Sequence, residues 1–313
     1  MILGNGTYKV GGSDVAKIYL GETEVYSPGQ PWTLVVVPDL QEIASHDTDS
    51  YAETIQYILN QQEARNIQMV MFVGDNVDDG ASSSQWTVAN NALALLEGEI
   101  PFSIGIGNHD YDDDTGVSKA ATSFNSAFPL SMYQNYSWFI DDEYPTGETT
   151  NHAVKLTIGQ YTYLFINIEY QPRTAAITWA QGIVDNNTDA DYIIVNNHYF
   201  LGDDSGGEAT RWTDTSVTDL WDDFISQNNK IRLVVCGHVA GTATDPAVSR
   251  RVDGSVNQHL FNAQTLTGDN YNATAYLRFY EIDQSDHSVS VTTYNPIIDT
   301  ALTDSDNQFS FNL

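Results

Sequence analysis

The chain has 313 residues, 41% of them apolar, which is enough for a sizeable core in one large domain or two modest ones and makes global disorder a poor description. Its 12 basic and 42 acidic residues give a formal net charge of −30. Such a field repels nucleic acid and anionic membranes, so no nucleic-acid-binding surface and no membrane insertion are expected; it serves solubility or attracts divalent cations, and composition leaves both open.

The first thirty residues read apart from the rest. Residues 7–10, 16–20 and 24–26 alternate in polarity between the turns Gly11-Gly12 and Gly21-Glu22-Thr23, as β material too short to hold a core. Residues 27–31 have the composition of a linker. The segment 17–26 resembles a short sequence that recurs in phage tail and virion proteins; an ordinary hairpin packed on the main domain fits equally well. On that resemblance residues 1–30 form a small β-rich docking segment for other virion proteins, and the chain is part of a phage tail or virion surface. Otherwise it is a soluble protein, cytoplasmic or exported without a signal peptide, because Met1 to Gly6 lack the basic head and long apolar stretch of such a signal.

From Trp32 the pattern changes to strand–helix alternation. An apolar run at residues 34–37 precedes Asp39. Residues 50–64 carry Tyr51, Ile55, Ile58 and Leu59 at helical spacing. A second strand at 69–73 ends in Gly74-Asp75. A helix at 84–96 puts Trp86, Ala89, Leu93 and Leu96 on one face, and a third strand from Phe102 ends in Gly105-Ile106-Gly107-Asn108-His109-Asp110. This order predicts a sheet covered by helices. Residues 111–151 break the rhythm with an acidic run and aromatics such as Phe124, Phe128, Tyr133, Tyr136, Trp138 and Phe139, and read either as an insertion shaping access to the active edge or as a packed excursion. A hairpin is expected at 153–158 and 161–168 around Gly159-Gln160, then a helix at 175–184 and a strand at 192–195 running to His198. A polar loop at 202–207, a helix at 217–225, a strand at 233–236 ending in Gly237-His238, and tail strands at 258–261, 275–282, 288–293 and 309–311 complete the chain. The single cysteine, Cys236, lies in an apolar run and reads as a small core hydrophobe, which excludes a disulfide within the chain.

Five strands thus end in side chains able to ligate a metal, at the edge of an α/β sheet where ligands sit. Asp39 and Asp75 offer carboxylates, Gln41 and Asn108 amide oxygens, His198 and His238 imidazole nitrogens. An isolated Asp after a strand is more often a helix cap, and an isolated His more often a core residue. The set taken together, in this order, points to a metal centre. His46, His152, His259 and His287 have no motif around them and read as structural or exposed. Asp78-Asp79 read as a solvated turn or as acids behind the ligands. Arg211, Arg250 and Arg251 read as phosphate contacts or as plain ion pairs.

The series Asp39-Leu40-Gln41, Gly74-Asp75, Gly107-Asn108-His109-Asp110, His198 and Gly237-His238-Val239-Ala240 resembles the ordered motifs of the calcineurin-like metallophosphoesterases, across residues 35–240. The branch whose first motif ends in Gln also matches at Trp179-Ala180 and at residues 291–296. The resemblance implies an α/β fold of two β-sheets sandwiched between flanking helices over residues 31–313. It implies one or two divalent ions, drawn from Mn, Zn, Fe, Mg or Ca. One would be held by Asp75, Asn108, His198 and His238, the other by Asp39, Gln41, Asp75 and the position of Ala240. It further implies hydrolysis of a phosphomonoester or phosphodiester substrate by a metal-activated water. His109 would be the catalytic acid or charge stabiliser, and Asp110 would orient its ring.

Two departures qualify that expectation. Gln41 stands where the family has an imidazole, and Ala240 removes another. An oxygen-only set favours hard cations such as Mg²⁺, Mn²⁺ or Ca²⁺, while two imidazoles suit Zn²⁺, Mn²⁺ or Fe, so one tight and one weak metal are expected. The alternative is a virion or cell-surface binding protein that keeps the scaffold, with a degraded first metal site and little turnover.

Overall fold

A computed structural model of the chain describes residues 30–202, 210–266 and 271–313, and the strand backbones within 9–26. In the first thirty residues β1 (Lys9–Val10) pairs antiparallel with β2 (Ser13–Asp14), and β3 (Ile18–Leu20) with β4 (Thr23–Tyr26). The predicted turns between them, most of the linker and residues 203–207 of the polar loop lie outside the described residues.

The main body begins with β5 (Trp32–Val37), α1 (Gln41–His46), α2 (Thr48–Gln61), β6 (Ile67–Phe72), α3 (Ser83–Leu93) and β7 (Phe102–Ile104). Asp47 starts α2 by accepting from the Ser50 N–H, and Ser82 starts α3 by accepting from that of Gln85. Next come α4 (Thr122–Ala127), β8 (Phe139–Tyr144), β9 (Asn151–Ile158), β10 (Tyr161–Ile168), α5 (Thr174–Asn186) and β11 (Tyr192–Asn197). The helix expected at 217–225 is split: a short α6 (Thr215–Asp219) widens into a π-helical turn at Leu220–Ile225. The remaining strands are β12 (Ile231–Cys236), β13 (Ala247–Asp253), β14 (Val256–Asn262), β15 (Leu277–Ile282), β16 (Ser288–Asn295), β17 (Thr300–Leu302) and β18 (Phe309–Asn312).

These strands form two seven-stranded mixed sheets. One runs β17-β16-β15-β5-β6-β7 with β18 also on β16; the other runs β13-β14-β12-β11-β10-β9-β8. The five strands that carry the candidate ligands are therefore divided between the two sheets. β5, β6 and β7 are parallel in the first sheet, β11 and β12 in the second, and the carboxyl ends of both groups meet at one rim. Strand alternation explains the layering. Leu34, Val36, Met69, Met71 and Val73 face Phe165, Ile194, Leu233 and Val235 in a core between the sheets. Val35, Val37, Val70 and Phe72 point the other way, into a core shared with Tyr51, Ile55, Ile58 and Leu93 of the helices.

Residues 111–151 are mostly a packed excursion: Phe124 of α4 lies edge-on to Trp86 of α3, and β8 extends the second sheet beside β9. Cys236 is a buried free thiol, pushed up to about 12 by burial, as a core hydrophobe should be. Among the described residues no helix is long and apolar enough to cross a membrane.

Candidate metal centre

Three of the rim strands, β6, β7 and β12, end in glycine turns, where a carboxylate or the neighbouring turn approaches the backbone closely. Gly74 has φ +119°, and a Cβ on it would come within 2.5 Å of the Gly107 nitrogen. A Cβ on Gly107 would run into Asp75 Oδ1, and one on Gly237 into Asp39 Oδ1. Glycine is thus required by space as much as by backbone conformation. Two of the polar residues so placed, Asp75 (φ 51°) and His238 (φ 72°), are themselves left-handed, an arrangement that non-glycine residues adopt where surrounding structure enforces it.

Asp39 is 1% exposed. Its Oδ2 accepts the His238 N–H at 2.9 Å and the Asn262 side-chain amide at 2.5 Å; its Oδ1 has no hydrogen-bond partner. Gln41, the first residue of α1, is buried beside it in sequence with its Oε1 unpartnered. Asp75 Oδ1 accepts the His109 N–H at 2.9 Å, and its Oδ2 lies 3.1 Å from His198 Nε2. His198 is fully buried, and neither of its ring nitrogens is in line with a hydrogen-bond partner. His238 Nδ1 lies 2.8 Å from Asn108 Oδ1. Ligand atoms of Asp75, His198 and His238 all fall within 4.8 Å of one another.

The electrostatics follow from this crowding. Burial, with the nearby Asp75 charge, pushes Asp39 up to about 7, against the pull of His198. Burial acts on Asp75 in the same sense, but His198 and His109 overcome it and hold its carboxyl below the usual range. For His198 burial works downward, yet Asp75 and Asp39 raise it to about 9; burial and the His198 charge depress His238 to about 4. Two buried carboxylates and unpartnered imidazole and amide atoms, all converging, are the donor set that a divalent cation neutralises and satisfies. The residues fit the metal that the motifs imply.

Asp110 has a different role from the one expected of it. Its two oxygens accept from the backbone N–H groups of Asn76 (2.8 Å), Val77 (3.2 Å) and Gly107 (2.8 Å) and from the Asn76 side chain (2.9 Å). It knits together the turns after β6 and β7. The His109 ring is held instead by the Asp78 carbonyl, which accepts from Nδ1 at 2.7 Å. A carbonyl only accepts, so Nδ1 carries a proton and Nε2 is the nitrogen left to exchange one. Burial lowers the proton affinity of this half-buried ring, but Asp75 and Asp78 outweigh it and the net shift is upward.

The remaining sequence candidates fall outside the centre. Ala240 is exposed and offers no ligand. Arg211 and Arg251 both pair with Asp253, and Arg250 with Asp306, so the ion-pair reading replaces phosphate contact. His152 and His259 are buried, His287 bonds the Tyr192 hydroxyl, and His46 stacks on Tyr271. Asn262, at the end of β14, was missed as the partner of Asp39 although it carries the same strand-end signature as the candidate ligands. Tyr199, directly after His198, was missed because an aromatic beside a motif carries no signal of its own.

The family model for the calcineurin-like phosphoesterases matches residues 33–241. The chain belongs to this family. Among curated proteins it is similar to the uncharacterized YvnB of Bacillus subtilis (strain 168), 23% identical over 273 residues that cover 85% of this chain but 20% of YvnB. The chain thus spans about a fifth of that relative's length. Among solved structures it is similar to purple acid phosphatase PPD1 from yellow lupin seeds (11% identity, TM-score 0.56, 92% of this chain and 55% of that one). It is also similar to GAP50, the anchor in the inner membrane complex of Plasmodium (10%, TM-score 0.50, 90% and 89%). A third is a putative 5′-nucleotidase from Staphylococcus aureus (13%, TM-score 0.50, 90% and 54%). These likenesses establish the fold: two mixed sheets with flanking helices in the calcineurin-like arrangement.

Proposed function

We propose that the chain is a metal-dependent phosphoesterase that hydrolyses a phosphomonoester or phosphodiester at the rim shared by the two sheets. The observation that carries this is the convergence of Asp39, Asp75, Asn108, His198 and His238, with donor atoms left unbonded, beside a half-buried His109. Asp75, Asn108, His198 and His238 would hold one cation; Asp39, Gln41 and Asp75 would hold the other. Bound divalent ions supply Lewis acidity toward phosphate oxygens and a nucleophile at neutral pH. His109, with Nδ1 fixed on Asp78 and its affinity for protons raised, presents Nε2–H to the leaving oxygen or to developing charge. Asp110 positions this residue indirectly, by tying the turn that carries it to the turn that carries Asp75.

The two donor sets differ in chemistry, so one tight and one weak metal are expected. Metal counting after gentle dialysis should find about one ion retained per chain; two equally tight ions would refute the asymmetry. Turnover is tested with aryl phosphomonoesters and diesters under Mn²⁺, Zn²⁺, Mg²⁺ and Ca²⁺. His109→Ala should keep its metal and lose about 10²- to 10⁴-fold in kcat. Asp75→Asn should lose both metal and activity.

A second reading is favoured by Gln41 and by the exposed Ala240: a binding protein that uses the scaffold with little turnover. Tight metal binding without hydrolysis of any ester would select it. A virion role rests on residues 17–26 alone and makes residues 1–30 a docking segment; pull-down of tail proteins with and without those residues tests it.

A further inference from the structure

Beside the metal centre stands an aromatic surface that neither metal ligation nor proton transfer uses. Tyr199 follows the buried ligand candidate His198 and lies edge-on to His238, ring centroids 4.9 Å apart at 89°. Trp212 stacks on Tyr199 at 4.8 Å and 19° and is 6.4 Å from the His238 ring. Tyr170 completes the cluster, 5.3 Å from Tyr199 and 5.5 Å from His238. Tyr170 and Tyr199 are buried, but Trp212 is 37% exposed. Its backbone is fixed by an N–H bond to the Phe200 carbonyl at 3.1 Å, next to the bridge between Leu201 and Arg211. A large aromatic held rigidly at the surface gains nothing in folding from its exposed part.

Resting on the phosphoesterase reading, we propose that Trp212 is the platform on which the leaving group of the substrate stacks, and that this group carries a planar aromatic ring. Reach supports it. A phosphoryl group held at His238 places its ester oxygen a few ångströms away, so a ring attached directly or through one sugar meets a side chain 6.4 Å from His238. Trp212 also lines a groove of about 250 Å³ together with Thr213, Val217, Trp221 and the acidic Asp222; none of the candidate metal ligands lines it, so it is room for a group that extends past Trp212 from the centre. Charge decides what kind of group enters. Arg211 and Arg251, at the same groove, are both committed to Asp253, and Arg211 also packs on Trp221 at 3.7 Å. The groove therefore offers aromatic surface and no uncommitted guanidinium from these two, which suits a neutral ring and disfavours a second phosphate. Stacking on such a platform is tolerant of ring identity, because every aromatic has a π face.

The metal-loaded full chain, Trp212→Ala and Trp212→Phe are compared on p-nitrophenyl phosphate, a nucleoside 5′-monophosphate and glycerol 2-phosphate. Trp212→Ala should raise KM about tenfold for the ring-bearing ester that the groove accepts, with kcat nearly unchanged, and leave glycerol 2-phosphate within about twofold. Trp212→Phe should recover most of the loss. The aryl and nucleoside arms show which source of ring is used. Equal losses on all three esters, or none on either ring-bearing one, overturns the proposal. If the wild type hydrolyses no ester, the phosphoesterase reading fails by itself. The platform is then judged by binding of the same three compounds: weaker binding of the ring-bearing ones to Trp212→Ala sustains it, and equal binding ends it.

Discussion

The two oxygens of Asp39 illustrate how the centre is built residue by residue. One is spent on the His238 N–H and the Asn262 amide, which fixes the carboxylate plane; the other is left with no partner inside the protein. The space for that second oxygen exists because residue 237 has no Cβ. Gly237→Ala should therefore push Asp39 off its position. Overpacking of this kind costs about 1–3 kcal/mol, and we expect both a lower melting temperature and at least about tenfold weaker binding of the second Mn²⁺, by calorimetric titration. Unchanged affinity would remove Asp39 from the ligand set. Gly107→Ala should act in the same way on Asp75, and with larger effect, because Asp75 serves both donor sets in the proposed arrangement.

At the scale of elements, the two sheets are joined by a buried polar chain as well as by apolar packing. Ser103 on β7 contacts His152 on β9 at 3.2 Å and the Asn167 amide on β10; Asn196 on β11 donates to Asn167 at 2.6 Å and to the Phe72 carbonyl of β6 at 2.9 Å. Such a network is stabilising only when its members are paired, and so it favours one register of sheet on sheet. His152 is fully buried, and burial lowers it to about 4 although the Thr149 carbonyl accepts from its Nδ1. The unfolded chain binds this proton near 6.5 and the folded one only near 4. Stability from this residue is thus complete above about pH 6.5 and is lost as pH falls toward 4, by up to about 3 kcal/mol. Denaturant titrations of the metal-free protein should show it as a steeper fall for wild type than for His152→Asn across that window. The comparison of slopes separates His152 from Asp39 and Asp110, which burial raises and which therefore pull in the opposite sense. Parallel pH profiles would show that His152 is not buried neutral.

For the whole molecule, a formal charge of −30 on 313 residues means that the folded state works against its own repulsion. Screening length falls from about 30 Å at 0.01 M salt to about 3 Å at 1 M. The melting temperature of the metal-free protein should rise with NaCl over that range. Saturating Mn²⁺ should raise it further through linkage, and most strongly at low salt. A melting temperature indifferent to salt would mean that the acidic residues are spaced widely enough not to interact. The same field repels polyanions, which agrees with a small phosphoester as substrate rather than a nucleic acid.

Strand-end motifs, most helices and strands, the core position of Cys236 and the fold family were legible in the sequence because each rests on local chemistry. An apolar run followed by glycine and a polar cluster writes its own geometry, since period and turn conformation are set within a few residues. The partition of those strands between two sheets was not legible from pattern alone. The central strand β5 sits between β6, close in sequence, and β15, nearly 250 residues later, and no periodicity encodes that pairing. The same reason explains the site. That Asp110 turns to backbone N–H groups of the neighbouring turn, that the Asp78 carbonyl holds His109, that Asn262 closes on Asp39 and that Arg211 is spent on Asp253 and Arg250 on Asp306 are all contacts between distant segments. A short buried polar side chain takes whichever partner packing brings within about 3 Å, and only the folded chain decides which partner that is.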